Sequence, residues 1–224
     1  SEGPLRARAR TRAARPFGGL AATAWGAARC VFQSPGPIYE PEGSQADYWR
    51  LARALFAAGF RRGHLVHNCF AYHLTPAGSM AETAAHALGC TVFPGGTGQT
   101  ELQVQAIADL GADGYVGTPS FLKIIVEKAD ELGVPLPTLT RALVSGEAFL
   151  PSLRDALRAR GIAGYQAYAT ADLGLVAYET EAREGLVVDE GVLLEIVRPG
   201  TGDPVAAGEV GEVVVSPLAT ADYP

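Results

Sequence analysis

DGYVGTPSFLKIIVEKADELG, residues 113–133, contains one strand pattern and one complete helix pattern with its stop signal. Residues 113–117 are strand-like, and residues 120–132 place apolar side chains on a single helical face. That face consists of Leu122, Ile125, Val126, Ala129 and Leu132. Gly133 follows at once, and glycine readily adopts the left-handed conformation that ends helices. The stretch therefore predicts one strand–helix unit of an α/β domain.

The same unit repeats on both sides of this stretch, between residues 46 and 174. Further strand patterns occupy residues 65–70, 90–93, 141–145 and 165–168. Helical patterns occupy residues 46–58, 77–88 and 152–160, and Thr100 with Gln103 forms a capping box that opens another helix. Strands joined by single helices run parallel in one sheet that is covered on both faces. We therefore expect an α/β fold with a largely parallel sheet flanked by helices.

The pattern changes after residue 174 to short alternating strands separated by glycine-containing turns. These strands occupy residues 175–178, 192–197 and 212–215, with a turn at residues 199–203. They predict a small antiparallel β subdomain at the C-terminal end. The sequence thus suggests three segments: an N-terminal segment at 1–45, an α/β core at 46–174 and the antiparallel subdomain at 175–224.

Composition narrows the class of protein. The 224 residues carry a formal net charge of −6, although six arginines stand against one glutamate in the first thirty, leaving 12 basic and 23 acidic residues elsewhere. An acidic body argues against a nucleic-acid partner. The sequence has no run of eighteen apolar residues and no signal-peptide pattern, and its three cysteines, without a CxxC, suit a reducing compartment. We expect no membrane span and a cytoplasmic location.

Three short stretches are candidates for ligand contact. Residues 94–98, PGGTG, lie between a strand and a helix, where backbone N–H groups and the helix dipole can hold an anion, although an ordinary turn has the same pattern. The loop at residues 33–37 offers Ser34 and Gly36, but its two prolines remove N–H donors. His67 and Cys69 would share one face of a strand, either as half of a zinc site or as core residues, since tight zinc spacing is missing.

Residues 165–174, YQAYATADLG, are the most informative stretch for chemistry. They begin as a strand and change to a polar turn at the edge of the sheet where ligands bind in such folds. Tyr168 is there either an aromatic platform for a base or a core tyrosine with a solvated hydroxyl. The carboxylate of Asp172 is a hard ligand suited to magnesium.

Five short motifs in this order resemble the phenylacetate-CoA ligase branch of the adenylate-forming enzymes. They are residues 16–21 (PFGGLA), 67–74 (HNCFAYHL), 117–120 (GTPS), 145–149 (SGEAF) and 168–172 (YATAD). The last three are similar to the TPS turn, the GAEPW-like adenine loop and the YGxSE motif of that family. The resemblance extends over essentially the whole chain and covers the middle of the large N-terminal domain of such a ligase.

The resemblance implies a two-step reaction in which a carboxylate attacks the α-phosphate of ATP and coenzyme A then takes the acyl group. It implies ATP or AMP, Mg²⁺ and coenzyme A as ligands, an aryl or other apolar acid as substrate, and a homodimer as one arrangement. Asp172 would be the catalytic residue that holds the metal. The implied nucleotide contacts are Ser34, Gly36, Ser145, Gly146, Glu147, Tyr168, Ala169 and Thr170. The implied acid pocket contains Phe70, Tyr72, Gly95, Gly96 and Thr118.

Three departures from the family pattern bear on activity. Residues 33–41, QSPGPIYEP, stand where the family has an SSGTTGKPT phosphate loop, so the threonines and the lysine are missing. Asp172 replaces a glutamate, and Ala171 replaces a residue with a hydroxyl. The sequence also ends before the ribose-binding aspartate, the hinge and the C-terminal lid of the family. We therefore expect slow turnover or none from this chain alone.

Two other hypotheses remain open. A degenerate nucleotide- or acyl-binding module without turnover is consistent with the altered phosphate loop. A flavodoxin-like or Rossmann-type cofactor domain would require a glycine fingerprint after the first strand, which the sequence lacks. Ligand binding without magnesium dependence or pyrophosphate exchange would distinguish the binding module from a ligase.

Overall fold

The computed structural model describes residues 21, 25–34 and 38–219. The chain divides into two compact units, one formed by residues 45–187 and the other by residues 1–44 with residues 188–224. The strands are β1 Cys30–Ser34, β2 Ile38–Glu42, β3 Leu65–Asn68, β4 Thr91–Phe93, β5 Gly114–Gly117, β6 Arg141–Val144, β7 Ala163–Thr170, β8 Gly174–Glu179, β9 Leu186–Val188, β10 Val192–Val197 and β11 Glu212–Pro217. The helices are α1 Ala52–Ala57, α2 Ala77–Ala87, α3 Thr100–Leu110, α4 Pro119–Leu132 and α5 Pro151–Ala159, with a short 3-10 helix at Trp25–Ala27.

A seven-stranded sheet forms the centre of the unit at residues 45–187, in the order β4-β3-β5-β6-β7-β8-β9. β3 pairs in parallel with β4 and β5, and β5, β6 and β7 continue the parallel pairing. β8 pairs with β7 in the antiparallel direction. The expected α/β fold with a largely parallel sheet and connecting helices is therefore confirmed. The strand pattern at 175–178 corresponds to β8 and extends this sheet, while the division into three segments remains a prediction.

Helix α4 folds as its sequence predicts. Thr118 is its N-cap residue, and the hydroxyl of Thr118 accepts a hydrogen bond from the backbone N–H of Phe121 at 3.4 Å. The helix ends at Gly133, which has a φ of 66°. Four residues of the predicted face are buried in the core, namely Leu122, Ile125, Val126 and Ala129. Each large apolar side chain buried in this way contributes about 1.5–3 kcal/mol. Leu132, the last residue of the predicted face, is instead exposed.

One predicted helix start and one predicted cap are wrong, although the helix expected at Thr100 does begin there. The helix predicted at 46–58 begins at Ala52, because the preceding residues form a turn in which Asp47 and Arg50 have positive φ angles of 53° and 61°. The carboxylate of Asp47 accepts hydrogen bonds from the N–H of Ala52 at 3.1 Å. The predicted capping box is also absent, because α3 follows Gln99 without a side-chain cap and the amide of Gln103 is used elsewhere.

The unit formed by residues 1–44 and 188–224 has two antiparallel strand pairs in its described part. β1 pairs with β2, and β10 pairs with β11 along six residues from Val192 to Val197. The β10–β11 pair confirms the small antiparallel sheet expected at the C-terminal end. No helix in the described residues of the chain is long and apolar enough to cross a membrane.

Candidate functional site

Strand β7 carries Tyr168 to the carboxyl edge of the parallel strands. The pairing of β7 with β8 shifts register after Tyr168, because Tyr168 pairs with Ala177 and Ala169 pairs with Leu175, which leaves Val176 as an extra residue on β8. A bulge places one extra residue in a strand and redirects the side chains beside it. Tyr168 is 45% exposed, so its ring is accessible to a planar ligand rather than buried as a core tyrosine.

The turn after β7 holds the carboxylate of Asp172 in a fixed position. The hydroxyl of Thr170 donates a hydrogen bond to Asp172 Oδ1 at 2.7 Å, and the backbone N–H of Leu173 donates to the same hydroxyl at 3.1 Å. Gly174 closes the turn with a φ of 72°, a conformation that glycine adopts without a steric cost. The half-buried Asp172 is therefore presented from an ordered turn rather than from a loose loop.

A cleft of about 160 Å³ joins this turn to the ends of the neighbouring elements. It brings together four of the predicted nucleotide contacts with one residue of the predicted acid pocket, namely Ser145, Gly146, Ala169, Thr170 and Phe70. Its remaining lining consists of Leu51, Thr75, Pro76, Ala77, Met80 and Ala171. The hydroxyl of Ser145 donates to the carbonyl of Ala167 at 2.8 Å, which ties the end of β6 to β7. Residues far apart in sequence thus meet at one site.

Glu147 and Thr118 lie beside this cleft but do not line it. Glu147 is exposed and lines a different, larger cleft of about 490 Å³ between α4 and α5. Thr118 caps α4, and its carbonyl accepts a hydrogen bond from the hydroxyl of Tyr115 at 2.9 Å. A methyl group added at Gly146 would lie 3.7 Å from Thr118, in ordinary contact. The adenine-loop residues predicted as one group are therefore divided between two clefts.

The glycine turn at residues 94–98 is held in place by hydrogen bonds from the side chain of Gln103. The side-chain amide of Gln103 donates to the carbonyls of Gly95, Gly96 and Gly98 at 2.9, 3.2 and 3.3 Å. A Cβ added at Gly95 would lie only 2.4 Å from Gln103 Oε1 and 3.0 Å from His67 Nε2, so a larger residue here would displace the hydrogen-bonded Gln103 side chain. Because these hydrogen bonds engage the turn through its carbonyls, they leave its amide groups for other partners. One of them, the N–H of Gly96, donates to the carbonyl of Asn68 at 3.0 Å.

His67 and Cys69 are core residues in this structure. His67 is fully buried, shares a hydrogen bond of 2.5 Å with Gln103 and stacks on Phe93 with ring centroids 5.0 Å apart. Burial lowers the pKa of His67, and burial raises the pKa of the Cys69 thiol far above its ordinary value. No group of three or more His, Cys, Asp or Glu side chains able to hold a metal occurs among the described residues.

Tyr72 does not line the cleft. Its hydroxyl accepts a hydrogen bond of 2.8 Å from the amide of Asn68, which also donates to the carbonyl of Gly78 at 2.9 Å. Burial, followed by a hydrogen bond with Glu82, raises the pKa of the Tyr72 phenol well above its ordinary value. Tyr72 is thus a neutral residue that supports the loop between β3 and α2.

The predicted phosphate-loop residues belong to the other unit. Ser34 ends β1, and its side chain is buried, with 9% of the residue exposed. Gly36 lies outside the described residues, as does most of the motif at residues 16–21. Ser34 is not presented on the surface of the protein as a phosphate-binding hydroxyl would be.

The donor groups near the cleft fit a magnesium ion that arrives with a nucleotide. Mg²⁺ is usually bound through one or two carboxylates together with substrate phosphates, and it keeps several waters. The turn supplies one carboxylate, that of Asp172, with the hydroxyl of Thr170 beside it. This donor set suits a metal whose other ligands are phosphate oxygens.

Two contributors to the site carried no sequence signal that we recognised. Arg50 donates hydrogen bonds to the turn from more than 120 residues away, and nothing in its local sequence indicates that role. Met80 lies at a buried position of α2 and lines the cleft. The helical pattern at residues 77–88 did not single out Met80.

The fold defines the class of the protein as the acyl-CoA ligase fold. A crystal structure of 2-hydroxyisobutyryl-CoA ligase in complex with 2-HIB-AMP and CoA is similar with a TM-score of 0.87 and 23% identity, covering 96% of this chain and 50% of that chain. A crystal structure of an anthranilate CoA ligase in complex with anthranoyl-AMP is similar with a TM-score of 0.69 and 18% identity, covering 83% of this chain and 38% of that chain.

Sequence comparison gives the family. Residues 69–221 match the family model described as AMP-binding enzyme, and the chain belongs to that family. Phenylacetate-coenzyme A ligase of Aromatoleum evansii is 33% identical over 181 residues, covering 77% of this chain and 41% of that protein. The Escherichia coli K12 phenylacetate-coenzyme A ligase is 32% identical over 182 residues, covering 77% and 42%. The resemblance inferred from the motifs is confirmed, and the chain spans about two-fifths of the length of these relatives.

Proposed function

We propose that this chain is the nucleotide-binding core of an ATP-dependent acid–CoA ligase that acts on an aryl or other apolar carboxylic acid. The observation that carries the proposal is the cleft in which Ser145, Gly146, Ala169 and Thr170 meet Phe70. Proteins with this fold bind acyl-adenylates: 2-HIB-AMP is bound in the structure of 2-hydroxyisobutyryl-CoA ligase, and anthranoyl-AMP is bound in that of anthranilate CoA ligase. A cleft with backbone polar groups on one side and apolar side chains on the other suits such a molecule.

The nucleotide end of the cleft lies at β7. Tyr168 does not line the cleft, but it directly precedes Ala169, which does, and its exposed ring offers a stacking surface for adenine. Stacking of a base on an aromatic side chain contributes about 1–3 kcal/mol. The backbone of Gly146 borders the same cleft, and the absence of a side chain there allows close approach of a ligand. Glu147 would contribute from outside the cleft, toward the ribose.

The acid end of the cleft is apolar. Phe70, Pro76 and Met80 line it, and no charged residue occurs in the lining. An ionised acid would therefore be held mainly by burial of its apolar part, with its carboxylate directed to the polar end. This arrangement favours an aryl or other apolar acid over a dicarboxylate or an amino acid.

The proposed reaction joins a carboxylic acid bound at the acid end of the cleft to a nucleotide bound at the nucleotide end. An acid carboxylate oxygen attacks the α-phosphorus of ATP, the bond to the bridging oxygen breaks, and pyrophosphate leaves with the bonding electron pair. The thiol sulfur of coenzyme A, after losing its proton, then attacks the acyl carbonyl carbon, and AMP leaves. Asp172 and Thr170 would hold the Mg²⁺ ion, which supplies charge stabilisation to the phosphates when bound. The chain itself contributes orientation and exclusion of water.

The remaining expectations about the intact protein are part of the same proposal. We propose a cytoplasmic location, in keeping with three unpaired cysteines in the chain. A homodimer is the proposed assembly. Coenzyme A is the proposed acceptor because the relatives named above carry it in their names.

A second candidate function is a nucleotide- or acyl-binding module without turnover. The observation that favours it is the phosphate-loop region, where the sequence at 33–41 lacks the family's threonines and lysine and where Ser34 is buried. Weak contacts with the β- and γ-phosphates would leave adenylate binding intact while slowing its formation. The two candidates differ in pyrophosphate exchange, which only the ligase performs.

Calorimetric titration with ATP and Mg²⁺ tests the proposed site. We expect saturable binding to the parent chain and a loss of at least about fivefold in Tyr168→Ala, the lower bound for a lost stacking contact. Tyr168→Phe keeps the ring and serves as the matched control, with affinity within about twofold of the parent. Equal binding by Tyr168→Ala and the parent would remove Tyr168 from the site, and no binding by the parent would overturn the proposal.

A further inference from the structure

Arg50 links the start of α1 to the turn that carries Asp172. One guanidinium nitrogen, Nη2, donates to the carbonyl of Leu173 at 2.6 Å and to the carbonyl of Leu175 at 3.0 Å. These two carbonyls flank Gly174, so the guanidinium spans the residue at which the turn closes. Hydrogen bonds from a charged donor are stronger than those between neutral groups. Arg50 therefore holds the end of the turn from a segment more than 120 residues away in sequence.

The backbone reinforces this link at the same place. The N–H of Leu175 donates to the carbonyl of Trp49 at 2.9 Å. A Cβ added at Gly174 would lie 2.6 Å from that carbonyl oxygen, so the two segments approach as closely as backbones can. Trp49 is itself buried, with 1% exposed, and anchors its segment in the core. The turn is thus docked on a fixed surface rather than on a mobile one.

Arg50 adopts a backbone conformation that non-glycine residues usually avoid. Its φ is 61°, and the preceding turn is closed by a hydrogen bond from the Arg50 N–H to the carbonyl of Asp47 at 2.8 Å. A non-glycine residue in the left-handed region persists only where the surroundings enforce it, and such residues cluster at functional sites. Here the conformation directs the arginine side chain toward the turn instead of along α1.

We propose that Arg50 is a positioning residue for Asp172 and, through it, for metal-dependent nucleotide binding. The inference rests on the proposed function, because it assigns Asp172 to the magnesium ion of the nucleotide. Arg50 fixes the carbonyls of Leu173 and Leu175, the turn between them and Thr170 then keeps one geometry, and the hydroxyl of Thr170 orients the carboxylate. Partners that orient a metal ligand in this way affect metal affinity by about 10- to 100-fold.

The magnesium enhancement of ATP binding is the ratio of the ATP affinities measured with Mg²⁺ and with EDTA. It distinguishes a residue that positions Asp172 from a residue that only stabilises the domain. AMP needs the cleft and Tyr168 but no metal, whereas ATP with Mg²⁺ needs both. Replacing a residue that only stabilises the domain would weaken the binding of AMP and of ATP together. A residue that positions Asp172 would reduce the ratio of ATP affinities measured with Mg²⁺ and with EDTA, and would leave AMP binding unchanged.

The test uses three variants of the chain, each checked by thermal unfolding. Arg50→Met removes both hydrogen bonds. Arg50→Lys keeps the charge without the fork of the guanidinium, and it carries the test if Arg50→Met does not fold. Arg61→Met is the matched control, because Arg61 also donates to two carbonyls, those of Phe56 and Phe60 at 2.7 Å, but contacts no part of the turn.

We expect Arg50→Met to lower the magnesium enhancement of ATP binding by about tenfold, with AMP affinity within about twofold of the parent. Arg50→Lys should lose part of the enhancement, and Arg61→Met should keep all of it. A parallel loss of AMP and Mg²⁺–ATP binding in the Arg50 variants, or an unchanged enhancement, would overturn the inference. Failure of the parent to bind AMP would instead overturn the proposed function, so the two failures are distinguishable.

Discussion

Gln103 and His67 share a buried hydrogen bond of 2.5 Å between the first turns of α3 and the end of β3. Both residues are almost fully removed from solvent, with 3% and 0% exposed. Because the amide of Gln103 also donates to three carbonyls of the glycine turn, the pair fixes that turn to the sheet. The glycine turn is therefore a rigid wall of the domain rather than an adaptable loop.

Replacement of Gln103 by methionine should destabilise the domain markedly. The change removes five hydrogen bonds of the Gln103 side chain, including one from Cys69 Sγ at 3.7 Å, and leaves the buried ring nitrogen of His67 without its partner, which costs about 1–3 kcal/mol. Urea unfolding followed by circular dichroism measures the difference. Gln105→Met on the exposed face of the same helix is the matched control and should change stability by less than about 0.5 kcal/mol. Equal effects of the two changes would disprove the role of Gln103.

Stability should fall in mild acid because of His67. Burial lowers the pKa of His67 in the folded state, against a smaller upward effect of the Gln103 hydrogen bond, while the unfolded chain keeps the ordinary value of about 6.5. The unfolded state then binds more protons below that pH, so His67 contributes stability that is present above about pH 6.5 and lost as pH falls. Urea midpoints between pH 7.5 and 5.5 measure this slope. His67→Gln should flatten it and His86→Gln, on the surface, should not.

The ion cluster at Glu179 should be needed for stability. Glu179 is buried, with Arg154 at 2.8 Å and Arg183 at 3.2 Å from the same carboxylate oxygen. Glu179→Gln leaves two guanidinium groups without a negative partner and should cost about 2–4 kcal/mol, since both arginines are partly exposed. Glu127→Gln, which breaks only the exposed pair with Lys123, should cost less than about 1 kcal/mol. Comparable losses in both variants would show that burial of Glu179 carries no extra stabilisation.

Met80 should limit the size of the bound acyl group. Met80 is buried at the apolar end of the cleft, so Met80→Ala removes three heavy atoms from its wall. We expect a non-hydrolysable acyl-adenylate analogue with a longer apolar tail to gain about threefold to tenfold in affinity relative to a short one. Competition calorimetry measures the ratio, with Leu102→Ala on the surface as the control. An unchanged ratio in Met80→Ala would place the acyl group elsewhere.

Periodicity and turn chemistry were sufficient for most of the fold. The end of α4 at Gly133 and four of the five residues on its predicted apolar face follow from local sequence, whereas its cap at Thr118 was not predicted. Gln103 shows where local sequence fails, because its amide can either cap α3 or bind the glycine turn. The tertiary contact prevails since it satisfies three carbonyls at once. A single sequence contains no information about that competition.

The candidate site was predictable from the sequence only in part. The resemblance to the ligase family implied that Ser145 and Thr170 contact the same nucleotide, and the cleft contains both. Their meeting agrees with the rule that ligands bind at the carboxyl ends of parallel strands. Arg50 could not be found in this way, because its partner carbonyls follow β7 and no property of residues 46–51 indicates them. Backbone carbonyls are identical at every residue and leave no trace in the sequence.

The register of β7 against β8, which has Val176 as its one extra residue on β8, restricts how these strands can change in length. Side chains alternate between the faces of a strand, so the loss or gain of one residue in β7 would exchange every later side chain between faces. Tyr168 and the turn beyond it would then face the wrong way, even though each residue was still present. Insertions and deletions in descendants of this sequence should therefore collect in surface turns such as residues 199–203, while the number of residues in β7 stays constant.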